Sequence, residues 1–222
     1  MTVVAAPAKR PGALSLADWL IPLGLIALAL IPIAAGVYRV TTLVNHVPIT
    51  PQNERFFTSP VPVLLHIASV TVYGILGAFQ FSAGLRRRHI GWHRAAGRVL
   101  VGAGLIAAFS GLWMALFYAI VPADSLLLHG LRLFFGSAMA VSIALGFVAI
   151  RQRRVSVHQA WMRRGYAIGL GAGTQAFTQA FAVAILGPLT PDTLALAMGG
   201  GWVLNLAVAE WLIRRQAPGR VS

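Results

Sequence analysis

Apolar runs of about twenty residues or more recur along nearly the whole chain, and that restricts the fold before anything else does. Backbone buried in hydrocarbon must satisfy its own hydrogen bonds, which only helices and closed barrels achieve. These runs are too long and too continuous for barrel strands, so they read as helices. With 222 residues, 58% of them hydrophobic, 10% charged and a mean hydropathy of +0.76, no room is left for a separate aqueous domain.

The net charge of +13 would suggest nucleic acid in a soluble protein. Its placement argues for topology instead. Lys9 and Arg10 precede the first run; Arg86, Arg87, Arg88, Arg94 and Arg98 surround the second connection; Arg151, Arg153, Arg154, Arg163 and Arg164 surround the fourth; Arg214, Arg215 and Arg220 close the chain. Only Arg39, Arg55 and Arg132 fall on the other side. A positive-inside bias of this kind puts both termini in the cytoplasm. The same arginines suit anionic lipid headgroups, and membrane lipid is the expected partner in place of nucleic acid. Cysteine is absent, so thiolate metal sites and iron–sulfur clusters are excluded. The first run is too long for a signal-peptide core and reads as a retained span.

Six spans fit the pattern, forming an all-α integral membrane bundle. They cover about 18–40, 61–85, 92–120, 126–150, 158–186 and 192–213. The domain runs from 17 to 214, between an N-terminal tail (1–16) and a C-terminal one (215–222), and the second to fifth helices form its four-helix core. An external stretch at 41–60 holds His46, Glu54 and Arg55. Pro122 and Asp124 mark one external turn, and Gly187-Pro188 with Pro191-Asp192 another, where Asp192 or Thr193 suits the helix cap.

Four of these helices carry a histidine near an end. His66 and His129 fall toward one membrane face, in the second and fourth helices; His93 and His158 fall at the other, in the third and fifth. The two layers are then roughly 20–25 Å apart at 1.5 Å per residue. Facing imidazoles inside a helix bundle are how a membrane protein grips an iron porphyrin, so the expected cofactor is haem b, one site at His93–His158 and a second at His66–His129. Hydrated interfacial histidines with no specific role give the same pattern. His89, four residues before His93, would be the inner ligand if the helix began earlier. Metal without porphyrin is a weaker reading, because no carboxylate accompanies either pair.

Nearby cations suit haem propionates. Arg132 lies one turn below His129, where Asp124 or snorkelling would serve it equally well. Arg94, Arg98, Arg163 and Arg164 surround the inner pair, where topology alone also explains them. Gly165, Gly169 and Gly173 fall at i, i+4 and i+8 of the fifth helix, a face for close helix packing or for a flat ring. Thr174, Gln175, Thr178 and Gln179 follow, suited to interhelical hydrogen bonds or to a quinone pocket.

The stretch from Arg55-Phe56-Phe57 through His66 and Gly77-Ala78-Phe79-Gln80-Phe81, then Arg86-Arg87-Arg88-His89 and Trp92-His93-Arg94, resembles the DUF2306 family of bacterial membrane proteins. Gly97-Arg98, the segment 133–139, His158-Gln159-Ala160-Trp161-Met162, the segment 169–175 and the closing 205–211 continue the likeness over about 53–213. The resemblance implies a multi-span protein of the bacterial inner membrane and features His66, His93 and His158; His129 is less typical of it. The order of the histidines looks like that of the di-haem cytochrome b561 family in arrangement, though not in any long stretch of sequence. Electron transfer across the bilayer, to or from quinone or a redox partner protein, is the function expected. A cofactor-free assembly factor or structural subunit is the rival. A transporter is disfavoured by the near absence of acidic residues within the spans.

Overall fold

The computed structural model describes residues 14–121 and 125–216. Lys9, Arg10, most of the 1–16 tail, Pro122, Asp124 and Arg220 lie outside them. Nine helices follow one another among the described residues: α1 (Leu16–Val44), α2 (Glu54–Thr58), α3 (Pro60–Ala78), α4 (Ala83–Arg88), α5 (Ile90–Phe117), α6 (Leu126–Arg151), α7 (Val155–Gly169), α8 (Gly171–Leu186) and α9 (Pro191–Gln216). No strand occurs among them. Helices α1, α5, α6 and α9, together with α3 and its 3-10 extension Phe79–Phe81, are each long and apolar enough to cross a bilayer. Helices α7 and α8 are long and apolar enough only when taken together, bent by 48° at their junction, so the described residues hold five such helices, or six where the bent pair counts as one span.

At 29 residues, α1 exceeds the expected first span at both ends. At 1.5 Å per residue it is about 43 Å long, more than the ~30 Å of a hydrocarbon core. Its start is fixed by a capping box: Ser15 donates to Asp18 Oδ2 from both its amide (3.0 Å) and its hydroxyl (2.8 Å). The second span does not run on to 85. It stops at Phe81, because Ser82 is extended and its hydroxyl caps a new helix by accepting from Leu85 N–H at 3.2 Å. The arginines Arg86, Arg87 and Arg88 therefore sit on a separate short helix, α4. The cap of α9 is also not the expected one: Thr190 Oγ1 accepts from Thr193 N–H at 3.3 Å.

The largest departure is in the fifth span. A continuous helix was expected from 158 to 186; the chain instead breaks at Leu170, between Gly169 and Gly171. Leu170 N–H bonds to Tyr166 O, and the ladder resumes with Gly173 N–H to Leu170 O. Glycine on both sides removes the side chains that would stabilise a straight helix, and Trp202 of α9 presses against Gly171 where a Cβ would otherwise stand.

Helix α3 packs on α1 and α5, α6 on α5, α7 and α9, and α8 on α1 and α9, while α7 touches α3 to close the centre. Two ends are distinct. Asp18 meets Ser82 and Gly84, His158 meets Gly146, and Arg164 meets Glu210 at the basic end. At the opposite end Tyr118 donates to Ser59 O, Arg55 to Ala119 O, and the Arg39 guanidinium lies 4.1 Å over the Phe56 ring. Large apolar side chains such as Leu20, Leu30, Phe109, Phe181 and Leu196 stay exposed all round, as lipid-facing positions do.

Candidate functional site

At the basic end, α7 carries His158 in its first turn, against the last turns of α6. The imidazole Nδ1 is 2.9 Å from the Gly146 carbonyl oxygen. A carbonyl only accepts, so Nδ1 holds the proton and a neutral His158 presents Nε2 as a lone pair. The close approach of α7 makes this possible: a Cβ on Gly146 would lie 2.7 Å from Met162 and 3.3 Å from Trp161.

His93 stands in the first turn of α5, half-buried, within electrostatic reach of His158, Arg86 and Arg94. Among the described residues its buried Nδ1 has no hydrogen-bond partner, and neither has Nε2 of Gln80. Buried polar nitrogens are usually paired, and these two exceptions lie at the same end of the bundle. Gln80 Oε1 lies 4.0 Å from where a Cβ on Gly97 would stand, one turn beyond His93 on α5, and Arg86 reaches the Gln80 carbonyl at 3.5 Å. Arg163 is within electrostatic reach of Arg86. Of the cations expected here, Arg94 and Arg98 are exposed. Arg86 and Gln80 join this end although the sequence reading placed neither at the inner pair: Arg86 stood there only as part of the basic connection, and Gln80 only as a polar residue suited to an interhelical hydrogen bond or a small-molecule pocket. His89 is the exposed residue preceding α5, so His93, not His89, points toward the bundle.

At the other level, His66 Nδ1 lies 2.9 Å from Ala107 O and 3.1 Å from Ser110 Oγ on α5, with its ring against Gly111. It too holds its proton on Nδ1. His129 sits in the first turn of α6, half-buried, and Arg132 one turn on is likewise half-buried. Helices α3 and α6 are not close neighbours; α5 packs against both.

Aromatic side chains fill the space between the levels. Tyr73 lies against Gly104, Gly165 and Gly169, and a Cβ on Gly169 would stand 2.9 Å from its ring. Tyr166 covers Gly77 and donates to Gly74 O at 2.7 Å, 4.7 Å from the Phe81 ring. The flat ring on the glycine face is thus a tyrosine of the chain itself. Gly173 does not share that face, since the break turns it toward Leu28 of α1.

The polar group beyond the break is spent partly between helices and, for Thr178 and Gln179, on carbonyls of α8 itself. Thr174 donates to Asn205 Oδ1 (2.8 Å), Gln175 to Met198 O (3.1 Å), Asn205 to Ala167 O (3.0 Å) and Gln179 to Gln175 O (3.0 Å). Among the described residues no three His, Asp or Glu side chains converge. A metal held by protein ligands alone lacks its donors there, whereas a porphyrin brings four nitrogens and asks the protein for one or two.

The family model described as "Predicted membrane protein (DUF2306)" matches residues 63–213, more than half of the chain. The chain belongs to the DUF2306 family. The match takes in His66, His93, His158, the break at Leu170 and Asn205, and leaves out α1 and the helix α2. No curated protein and no solved structure matches. As a DUF2306 protein it is a multi-pass membrane protein, and its activity has to be read from its own side chains.

Proposed function

We propose that this DUF2306 protein binds b-type haem at its basic end, between His93 and His158, and serves electron transfer across the membrane, with quinone or a redox protein as partner. One observation carries the reading. His158 is held by Gly146 in the tautomer that leaves Nε2 free to ligate, which is how a ligating histidine is normally oriented from behind. Facing it electrostatically is His93, whose buried Nδ1 has no partner among the described residues. Arg86 and Arg163 would meet the propionates, with Arg94 and Arg98 nearer the surface. The group, when bound, supplies the one-electron chemistry; the residues set its potential through ligation, burial and nearby charge. A second centre would rest on His66, whose Nδ1 is likewise tied to a carbonyl so that Nε2 of the neutral ring could ligate, with His129 and Arg132 on α6.

A cofactor-free structural role is the second reading. It is favoured by Tyr73, Tyr166, Ile143 and Met139 filling the middle of the bundle and by His66 acting as a hydrogen-bonding tie to α5. Purification from a haem-replete host and difference spectra separate the two. A shifted Soret band with sharp visible bands on dithionite reduction supports ligation; a colourless, fully folded protein supports the structural role.

A further inference from the structure

The arginines of α4 part company at Arg86. Arg86 turns inward to the Gln80 carbonyl and His93, while Arg87, Arg88 and His89 are exposed. Directly after them, Ile90 and Trp92 are exposed apolar residues at the start of α5, 47% and 42% accessible, and a Cβ on Gly91 between them would meet nothing within 4 Å. The corner therefore joins two outward guanidiniums, open space and a hydrocarbon-compatible wall with an interfacial tryptophan.

Among the described residues no carboxylate is at hand for those charges. The chain has five acidic residues, Asp18, Glu54, Asp124, Asp192 and Glu210, and none lies between Glu54 and Asp124. The two at the basic end are already engaged. Asp18 accepts from Ser15, Ser82 Oγ (3.2 Å) and Gly84 N–H (2.7 Å), and both oxygens of Glu210 meet Arg164. The corner is also tied to α1: Asp18 accepts from Ser82 and Gly84 at the start of α4, and a Cβ on Gly84 would run into that carboxylate.

We infer that the α4–α5 corner, Arg87 and Arg88 with Ile90 and Trp92, is the seat of an anionic phospholipid of the leaflet at the basic end. The phosphate is met by guanidiniums, which bind it in bidentate fashion, and an acyl chain runs down beside Trp92. This assignment stands apart from the haem reading, since neither arginine faces His93.

Native mass spectrometry of the full chain in detergent, with equal phosphatidylglycerol and phosphatidylcholine, tests it. Each arginine near a headgroup contributes about fivefold to binding, so Arg87→Gln/Arg88→Gln should lower the preference for phosphatidylglycerol at least about tenfold. Arg151→Gln/Arg153→Gln, at the other basic turn, should leave the preference in place, and Arg87→Lys/Arg88→Lys, which keeps the charge but not the bidentate fork, should lower it by less than the glutamine pair does. The inference falls if the wild-type chain shows no preference or if the α4 variant keeps it. It falls equally if the other turn matters as much, or if glycerol phosphate at the lipid's concentration displaces the lipid, which would make the seat one for free phosphate.

Discussion

Asn205 donates from Nδ2 to the Ala167 carbonyl oxygen at 3.0 Å, across the interruption of the bent α7–α8 span. Its other amide atom, Oδ1, accepts from Thr174 on the far side of the same break. One side chain of α9 thus splints both halves of a helix that cannot close its own ladder there. A broken span inside hydrocarbon survives only where neighbours take over the freed backbone groups.

Asn205→Ala is therefore expected to destabilise the protein by about 1–2 kcal/mol, at the upper end for membrane hydrogen bonds, because it strands a carbonyl. Thr174→Val should cost less. The two should couple by about 0.5–1.5 kcal/mol in a double-mutant cycle read by denaturation in mixed micelles. Full additivity would mean that Asn205 and Thr174 do not act together, and an Asn205→Ala change without cost would mean that the splint does not bear on stability.

The glycines divide into two groups with opposite expectations. On Gly104 an added methyl would sit 2.6 Å from the Tyr73 ring and 2.7 Å from Ile143, and on Gly173 it would run into the backbone oxygen of Leu28. Gly104→Ala should cost about 1–3 kcal/mol as overpacking does, and Gly173→Ala more, since backbone yields less than a side chain. Gly102, in the same helix as Gly104, has nothing within 4 Å of its Cβ position. Gly102→Ala should be neutral or stabilising by up to about 1 kcal/mol. Thermal unfolding midpoints in detergent separate the three variants.

Much of this was legible in the chain because hydrocarbon length and charge placement act over whole segments. The spans starting near 92 and 126 appear within three residues of their expected bounds for that reason. Local chemistry was harder to read. Ser82 stops the second span through a single extended residue and a hydroxyl cap, a signal no longer than its own side chain. The break at Leu170 depends on Trp202 and Asn205, more than thirty positions away, so the Gly165–Gly169–Gly173 spacing looked like one face when it is two. The histidines were visible as candidates, yet which nitrogen His66 and His158 spend on a carbonyl is set by neighbouring helices. The place of Gln80 and Arg86 was hidden because the turn Phe79–Phe81 and α4 fold back on the start of α5, which sets Gln80 near Gly97 and Arg86 within electrostatic reach of His93.

If the basic end holds haem, His93→Ala and His158→Ala should each remove its spectrum, and a full spectrum in both would refute the ligand assignment. Gln80→Leu is a finer probe. It removes a buried nitrogen without touching either imidazole, so the bands should persist while the midpoint potential shifts. In a cofactor-free protein the same change relieves an unpaired polar group and should raise thermal stability instead.

The last test concerns the anchor of α4. Asp18→Asn replaces one acceptor oxygen with a donor, and that donor faces groups which themselves donate, the Ser82 hydroxyl and the Gly84 amide or the Ser15 amide and hydroxyl, depending on the rotamer. Gly84→Ala pushes a methyl into the same carboxylate. Both should free α4 from α1 while leaving the long spans in place. Trypsin reads this directly, because Arg86, Arg87 and Arg88 are its sites and cleavage follows the population of the opened segment. Cutting there should accelerate by roughly tenfold in either variant, the scale set by losing hydrogen bonds to a charged acceptor. Cutting at Arg151–Arg154 should keep its wild-type rate. Equal acceleration at both turns would mean that Asp18 supports the whole bundle and not this corner alone.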